Sequence, residues 1–258
     1  MSDKGFGIDA VFFGDLGTVI TTSIPISGVY QEALVEAGIK TSDSVCNEAL
    51  LAVNRWLYSR KAAGRFLNDR EQIQYRNLLL SKMEVSRKQF QEVDDLILEK
   101  LENISYKPVP GIEKLLDHLG KNNIPAVLIA NWDSSMIDLL KKHGLKSKFL
   151  TVVISENFGM EKPSLSIFEE SFDRVRNKVG KVRKTHSVML GANLQTDIIP
   201  AETLKLIPVY FYPEKPWTPF SEKPDDKFKH RVVKDPDEFW QVLERLRKTK
   251  HAAESINR

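Results

Sequence analysis

The 258-residue chain contains one cysteine, Cys46. This excludes an intramolecular disulfide and a cysteine-based zinc site. Set in an apolar helical pattern, Cys46 reads as a small buried side chain. The sequence lacks any run of about 18 apolar residues, so no membrane-spanning helix is expected. It also lacks a secretory leader pattern, because Met1 to Gly7 is polar and no apolar stretch follows a basic start. The expected compartment is the cytoplasm, with the nucleus left open. Charge of one sign is barely in excess: 38 Lys and Arg against 35 Asp and Glu leave a formal +3. That is too weak a bias to argue for nucleic acid. The histidines His118, His143, His186, His230 and His251 have no metal-ligand spacing, and no internal repeat or low-complexity tract is present. A hydrophobic share of 41% and a charged share of 28% remain. Those values describe an ordinary globular chain, long enough for one large domain or a core domain with an insert.

The pattern along the chain divides it. Val11 to Phe13 reads as a buried strand, entering a glycine-bearing turn and then Thr18-Val19-Ile20. From about residue 21 to 105 the apolar positions recur at helical spacing. Val29, Ala33, Leu34 and Ala37 mark one helix, with Ser27 as its expected cap. Val45 to Leu57 mark a second, and Gly64 interrupts. Asn68-Asp69 starts a third helix, and Ser86 a fourth. Beyond Val109 strands and helices alternate. Ala126 to Ala130, Thr151 to Ile154, Ser187 to Gly191 and Pro208 to Phe211 read as strands. Helices are expected at Ile112 to Leu119, Ser134 to His143, Pro163 to Val179 and Thr196 to Leu204. A last short strand at Arg231 to Val233 precedes a helix opened by Pro236. The expected fold is α/β, a Rossmann-like doubly wound parallel sheet carrying an inserted helical domain. The core domain takes residues 1–20 and 106–247, the insert 21–105, and 248–258 is a polar tail.

Four landmarks fall at strand ends, where such folds place their ligands. They are Phe13-Gly14-Asp15-Leu16-Gly17-Thr18, Leu128-Ile129-Ala130-Asn131, Glu161-Lys162-Pro163 and Gly191-Ala192-Asn193-Leu194-Gln195-Thr196-Asp197. In this order, and around a helical insert, they make the chain resemble the haloacid dehalogenase-like (HAD) hydrolases with a helical cap. The resemblance covers nearly the whole chain. It implies a phosphotransfer site in which the first landmark reads Asp-x-Asp-Gly-Thr. The first Asp attacks phosphorus, the second is general acid/base, and magnesium sits among the first Asp, a backbone carbonyl and carboxylates of the fourth landmark.

Matching Gly17-Thr18 to that motif puts Gly14 at the nucleophile and Leu16 at the acid/base. The hydroxyl expected from the second landmark is replaced by Ala130, and the acidic residue opening the fourth by Ala192. Lys162 and Asp197 are kept. One remaining carboxylate does not satisfy magnesium, which requires several hard oxygen ligands, so no metal and no cofactor are expected. Two readings of the remaining pair stand: an ion pair between Lys162 and Asp197 lining a vestigial pocket, or a metal-free anion site built from Lys162 and the N–H groups of the Gly14 to Thr18 turn. In the straightforward register Asp15 presents its backbone carbonyl to the metal site and its side chain elsewhere. A one-residue slip would make Asp15 the attacking group, but it would also turn every side chain of the strand to the other face.

Other residues have plain structural readings beside any functional one. Trp132 packs between core and cap or stacks on a ligand, and Asp133 or Ser134 caps a helix. Trp56, Tyr58, Phe66 and Tyr75 are expected in the core of the cap. The basic stretch Arg174 to Lys184 has no interleaved aromatics and reads as a solvated face, so nucleic acid is not expected. The long loop Tyr212 to His230 carries Trp217, Phe220 and Phe228 among charges. These aromatics suit either a protein contact or a clamp onto their own domain. The expected function is that of a catalytically inactive pseudophosphatase, a binding or scaffold protein with another protein as partner. The alternatives are a slow magnesium-dependent phosphatase using Asp15, or a binder of a small phosphorylated ligand. The residues of the vestigial pocket are then Gly14, Asp15, Leu16, Thr18, Ala130, Asn131, Lys162, Ala192 and Asp197.

Overall fold

The computed structural model describes residues 7–60, 64–214, 221–224 and 231–248. The chain enters through β1 (Ala10–Phe13), buried at all four positions. A turn carries it into β2 (Ile20–Thr22) and then into four helices: α1 (Ile26–Glu36), α2 (Asp43–Arg60), α3 (Asp69–Lys82) and α4 (Phe90–Glu102). The return strand β3 (Tyr106–Pro108) pairs antiparallel with β2. After it come α5 (Ile112–Lys121), β4 (Ala126–Ala130), α6 (Ser135–Lys142), β5 (Thr151–Ile154), the single turn α7 (Ser155–Phe158) and α8 (Leu165–Val179). β6 (Ser187–Gly191) follows, then a π turn over Leu194–Ile198 that runs into α9 (Ile199–Thr203). β7 (Ile207–Phe211), β8 (Val232–Val233) and α10 (Pro236–Lys248) complete the described chain.

The main sheet has the order β5-β4-β1-β6-β7-β8, and each neighbouring pair is parallel. β1 lies at its centre, with Phe12 opposite Val127 on one side and Met189 on the other. Alternation along β1 sends its side chains into two cores. Val11 and Phe13 join the cluster formed with α5, α6 and α10. Ala10 and Phe12 join the one formed with α8, where the Phe12 ring centroid is 4.4 Å from that of Phe172. Strands buried on both faces need apolar residues throughout, which is why these segments read as unbroken apolar runs.

The cap has a core of its own, built from α1 to α4 and including buried Cys46. It lies within the expected residues 21–105, and the ribbon of β2 and β3 marks its join to the sheet domain. The start of α3 is strongly fixed: Asn68 and Glu71 form a reciprocal capping box, and Arg65 holds the Glu71 carboxylate with two nitrogens.

Several boundaries differ from the sequence expectation. Ser27 lies inside α1, and Pro25 takes the capping position without a side-chain bond. Of Thr18-Val19-Ile20 only Ile20 is in a strand, and it pairs with Pro108 outside the main sheet. The return strand itself is too short and mixed to show periodicity. The expected helix 196–204 is divided by the π turn, because the Asn193 side chain accepts from the N–H groups of Gln195 and Thr196 and widens the first turn. Trp217, Phe220 and Phe228 lie outside the described residues.

Candidate functional site

The C-terminal ends of β1, β4 and β6 converge with the loop before α8, and this brings all four landmarks together. The chain leaves β1 at Gly14, whose N–H donates to Leu190 O. The turn then closes on one acceptor: the N–H groups of Thr18, Val19 and Ile20 all donate to the carbonyl of Asp15. Gly17 sits at φ +83°, a conformation that favours glycine. The Thr18 hydroxyl accepts from Ala192 N at 2.9 Å, tying the first landmark to the fourth.

The orientation of Asp15 differs from the sequence expectation. Its carbonyl is consumed by the turn, and its side chain faces the site. One carboxylate oxygen accepts from Lys162 Nζ at 2.9 Å, the other from Asn131 N at 2.7 Å. The strand is not slipped: Gly14, at the nucleophile position of the straightforward register, stands against Asp197 of the fourth landmark. The rotation belongs to the turn, and the ammonium and the N–H converging beyond β4 draw the carboxylate in.

Lys162 is 1% exposed and reaches a second carboxylate, Asp197 Oδ1, at 2.7 Å. The expected pairing of Lys162 with Asp197 is therefore present, with Asp15 added. The other oxygen of Asp197 accepts from Asn193 N at 3.2 Å. Burial works against the Lys162 ammonium, but the Asp15 and Asp197 carboxylates outweigh it and hold its pKa above the ordinary lysine value. Burial pushes Asp197 above the usual carboxylate range, and the negative charge of Asp15 adds to the push. Together they exceed the pull of Lys162 and of the Asn193 N–H.

Asp197 also explains Gly14. A Cβ placed there would lie 2.6 Å from Asp197 Oδ2, closer than side-chain carbons approach an oxygen. Asp197 thus fills the space into which a side chain at position 14 would project. Ala130 is buried in the sheet core, and Ala192 is 1% exposed. Leu16 lines the cavity and brings no titratable group to it.

The cap supplies the opposite wall. A cavity of about 230 Å³ lies between core and cap, bounded by Asp15, Leu16, Asn131, Lys162 and Asn193 below and by Leu57 and Tyr58 above. Tyr58 therefore does not belong to the cap core. Its hydroxyl accepts from Asn193 Nδ2 at 2.6 Å across the interface, and burial pushes its pKa far above the ordinary tyrosine value. Phe66 also departs from the cap core: it is 43% exposed and lines an open groove beside Trp132. Tyr75 matches expectation, packing on the cap cluster. At Gly64 the backbone touches the core, its carbonyl accepting from Glu161 N at 2.7 Å. With φ +67° and an added Cβ only 2.1 Å from that of Ser164, the position admits glycine alone without a local shift.

Trp132 stacks edge-on against Tyr106 with centroids 5.0 Å apart and gives its Nε1 hydrogen to Ser135. It is a packing residue that also borders the cleft. Asp133, rather than Ser134, provides the side-chain bond at the start of α6, accepting from Ser135 N.

The donor set does not fit magnesium. The Asp15 and Asp197 carboxylates share Lys162, and each remaining oxygen already accepts an N–H. Among the described residues, no group of three or more His, Cys, Asp or Glu is placed to hold a metal. An octahedral cation would have to displace an ammonium from both of its partners.

Comparison with known proteins agrees with the geometry. Residues 25–206 match the family model of the haloacid dehalogenase-like hydrolases. The chain belongs to that family. The matched stretch begins downstream of the Phe13 to Thr18 landmark. Comparison with curated proteins by sequence finds no match. Among solved structures, the chain is similar to the putative HAD-hydrolase YfnB from Bacillus subtilis bound to magnesium, at 15% identity and a TM-score of 0.60, over 92% of this chain and 99% of that one. It is similar to a HAD family hydrolase from Deinococcus radiodurans with bound phosphate and sodium, at 14% identity and a TM-score of 0.64, over 93% and 96%. A predicted phosphoglycolate phosphatase from Haemophilus somnus matches at 12% identity and a TM-score of 0.62, over 91% and 97%. At these identities the likeness is one of fold. Among the described residues no helix is long and apolar enough to cross a membrane.

Proposed function

We propose that this HAD-family chain is non-catalytic and works by binding, as a scaffold or adaptor for another protein. The observation that carries the reading is the occupation of the nucleophile's space. With Gly14 at that position, the Asp197 carboxylate lies against it and accepts from Lys162 there. Leu16 offers no proton where the family's acid/base stands, and general acid/base groups commonly contribute 10²–10⁴-fold. A cap and a sheet core with complete apolar clusters accompany this site, which fits a fold kept for its surface.

The test is turnover of a panel of phosphate monoesters with magnesium by the wild type. The reading expects no turnover above background. Magnesium-dependent turnover that disappears in Asp15→Asn would overturn it. For the partner, affinity capture from the native source with wild type and with a Trp217/Phe220/Phe228 triple alanine variant expects a specific protein retained only by the wild type. Recovery of no specific protein by either counts against the binding role.

One observation favours a second reading, a slow phosphatase using Asp15: that carboxylate faces the cavity beside an ammonium. Both of its oxygens are engaged, however, and no acid stands at Leu16. The turnover comparison decides between the two readings.

A further inference from the structure

We propose that Asp15 is an internal occupant of the cavity, a built-in carboxylate that takes the two donors a small oxoanion would use and so closes the site to such ligands. The inference rests on the non-catalytic reading and adds what keeps the cavity empty of anions.

An ammonium and a backbone N–H that converge on the floor of a cavity make a receptor for a carboxylate or a phosphate oxygen. Here those donors come from separate loops, Lys162 before α8 and Asn131 after β4. The Asp15 carboxylate bridges them, one oxygen to each, at 2.9 and 2.7 Å. Its side chain is 13% exposed, so it borders the cavity instead of projecting into solvent.

Neighbouring polar groups are hydrogen-bonded as well. Asn131 Nδ2 donates to Lys162 O, Asn193 Nδ2 to the Tyr58 hydroxyl, and the Thr18 hydroxyl accepts from Ala192 N. The local charge points the same way. Two carboxylates face one ammonium, so the cluster carries a net negative charge when all three are ionised, and an arriving anion is repelled. Removing the Asp15 carboxylate frees both donors and makes the cluster neutral. Asp15 thus acts in cis as an inhibitory ligand, held in register by the three N–H bonds to its own carbonyl.

The probe is inorganic phosphate, added to the full-length folded protein and followed by ³¹P NMR line broadening and by its effect on the unfolding temperature. The wild type is expected to show neither response. Asp15→Ala is expected to bind phosphate at least roughly tenfold more tightly than the wild type, and the gain should vanish in Asp15→Ala/Lys162→Met. If Asp15→Ala does not fold, Asp15→Ser, whose side chain is too short to bridge the two donors, carries the same expectation. The proposal is overturned if the wild type binds phosphate as tightly as the variant, if neither Asp15 variant gains binding, or if the gain survives loss of Lys162. Failure of this proposal and of the non-catalytic reading are distinguishable. Ester hydrolysis by the wild type defeats the latter, whereas a silent wild type whose Asp15 variants gain no phosphate binding defeats only the former.

Discussion

β1 and the turn that follows it are neighbours in sequence, yet they are held by different forces. Phe12 and Phe13 sit in two apolar cores and are specified by shape and burial. Two residues later, Asp15 is specified by an ammonium and an N–H that come from distant loops. The sheet tolerates change in graded steps of volume. The charged cluster beyond it is far less tolerant, because removing one member strands another in a medium that solvates it poorly. The contrast teaches that the apolar scaffold does not depend on the charged groups, which are held by one another.

Lys162→Met applies the largest stress to this contrast. It leaves Asp197 buried without its cation, and breaking a buried pair in this way costs about 3–5 kcal/mol. Urea or thermal unfolding measures it. A loss of only a few tenths of a kcal/mol would show that the cluster is solvated.

The same residue sets a pH dependence. The Lys162 pKa is raised in the fold, so its stabilising contribution is fully present below its unfolded value, near 10.5. It is lost as pH rises through the higher folded value. The wild type should therefore lose stability above pH 10.5 more steeply than Lys162→Met, in unfolding curves collected across that range.

Asp197→Asn should cost less, about 1 kcal/mol. The pKa of Asp197 is raised, so its ionised form is disfavoured by the fold, and an amide oxygen can still accept from Lys162 while Asp15 keeps the charge balanced. A cost equal to that of Lys162→Met would contradict this ordering. On the apolar side, Ile129→Val near the C-terminal end of β4 removes one methylene from a fully buried position and should cost about 0.5–1.5 kcal/mol. Tyr58→Phe deletes one hydrogen bond between cap and core and leaves Asn193 Nδ2 without that acceptor. Its expected cost, about 1 kcal/mol, should appear together with faster hydrogen exchange in α2 and in the Leu194–Ile198 turn.

The sequence made the scaffold legible because its signals are periodic and local. The apolar runs of β4 and β6 and the Asn68-Asp69 start of α3 each state their structure within a few residues. The four landmarks are also brought together as their order implies. What escaped is non-local. The rotation of Asp15 depends on Lys162 and Asn131, more than a hundred residues away. Tyr58 has the helical spacing of a cap-core residue, and only the docking of the cap brings Asn193 to its hydroxyl. Ser27 has the chemistry of a cap, but Pro25 fixes the helix entry two residues earlier. A two-stranded ribbon of three residues per strand has too little pattern to announce itself. One signal for Tyr58 was available: it lies near the end of α2, close in sequence to Gly64, where the cap meets the core.

The central claim is that the charges of the site are paired with one another. A double-mutant cycle on Asp15→Asn and Lys162→Met, with unfolding free energies for the wild type, both single variants and the double, measures that pairing directly. The account predicts a coupling of about 1.5 kcal/mol or more, the scale of a charge-assisted hydrogen bond. A coupling indistinguishable from zero would contradict it.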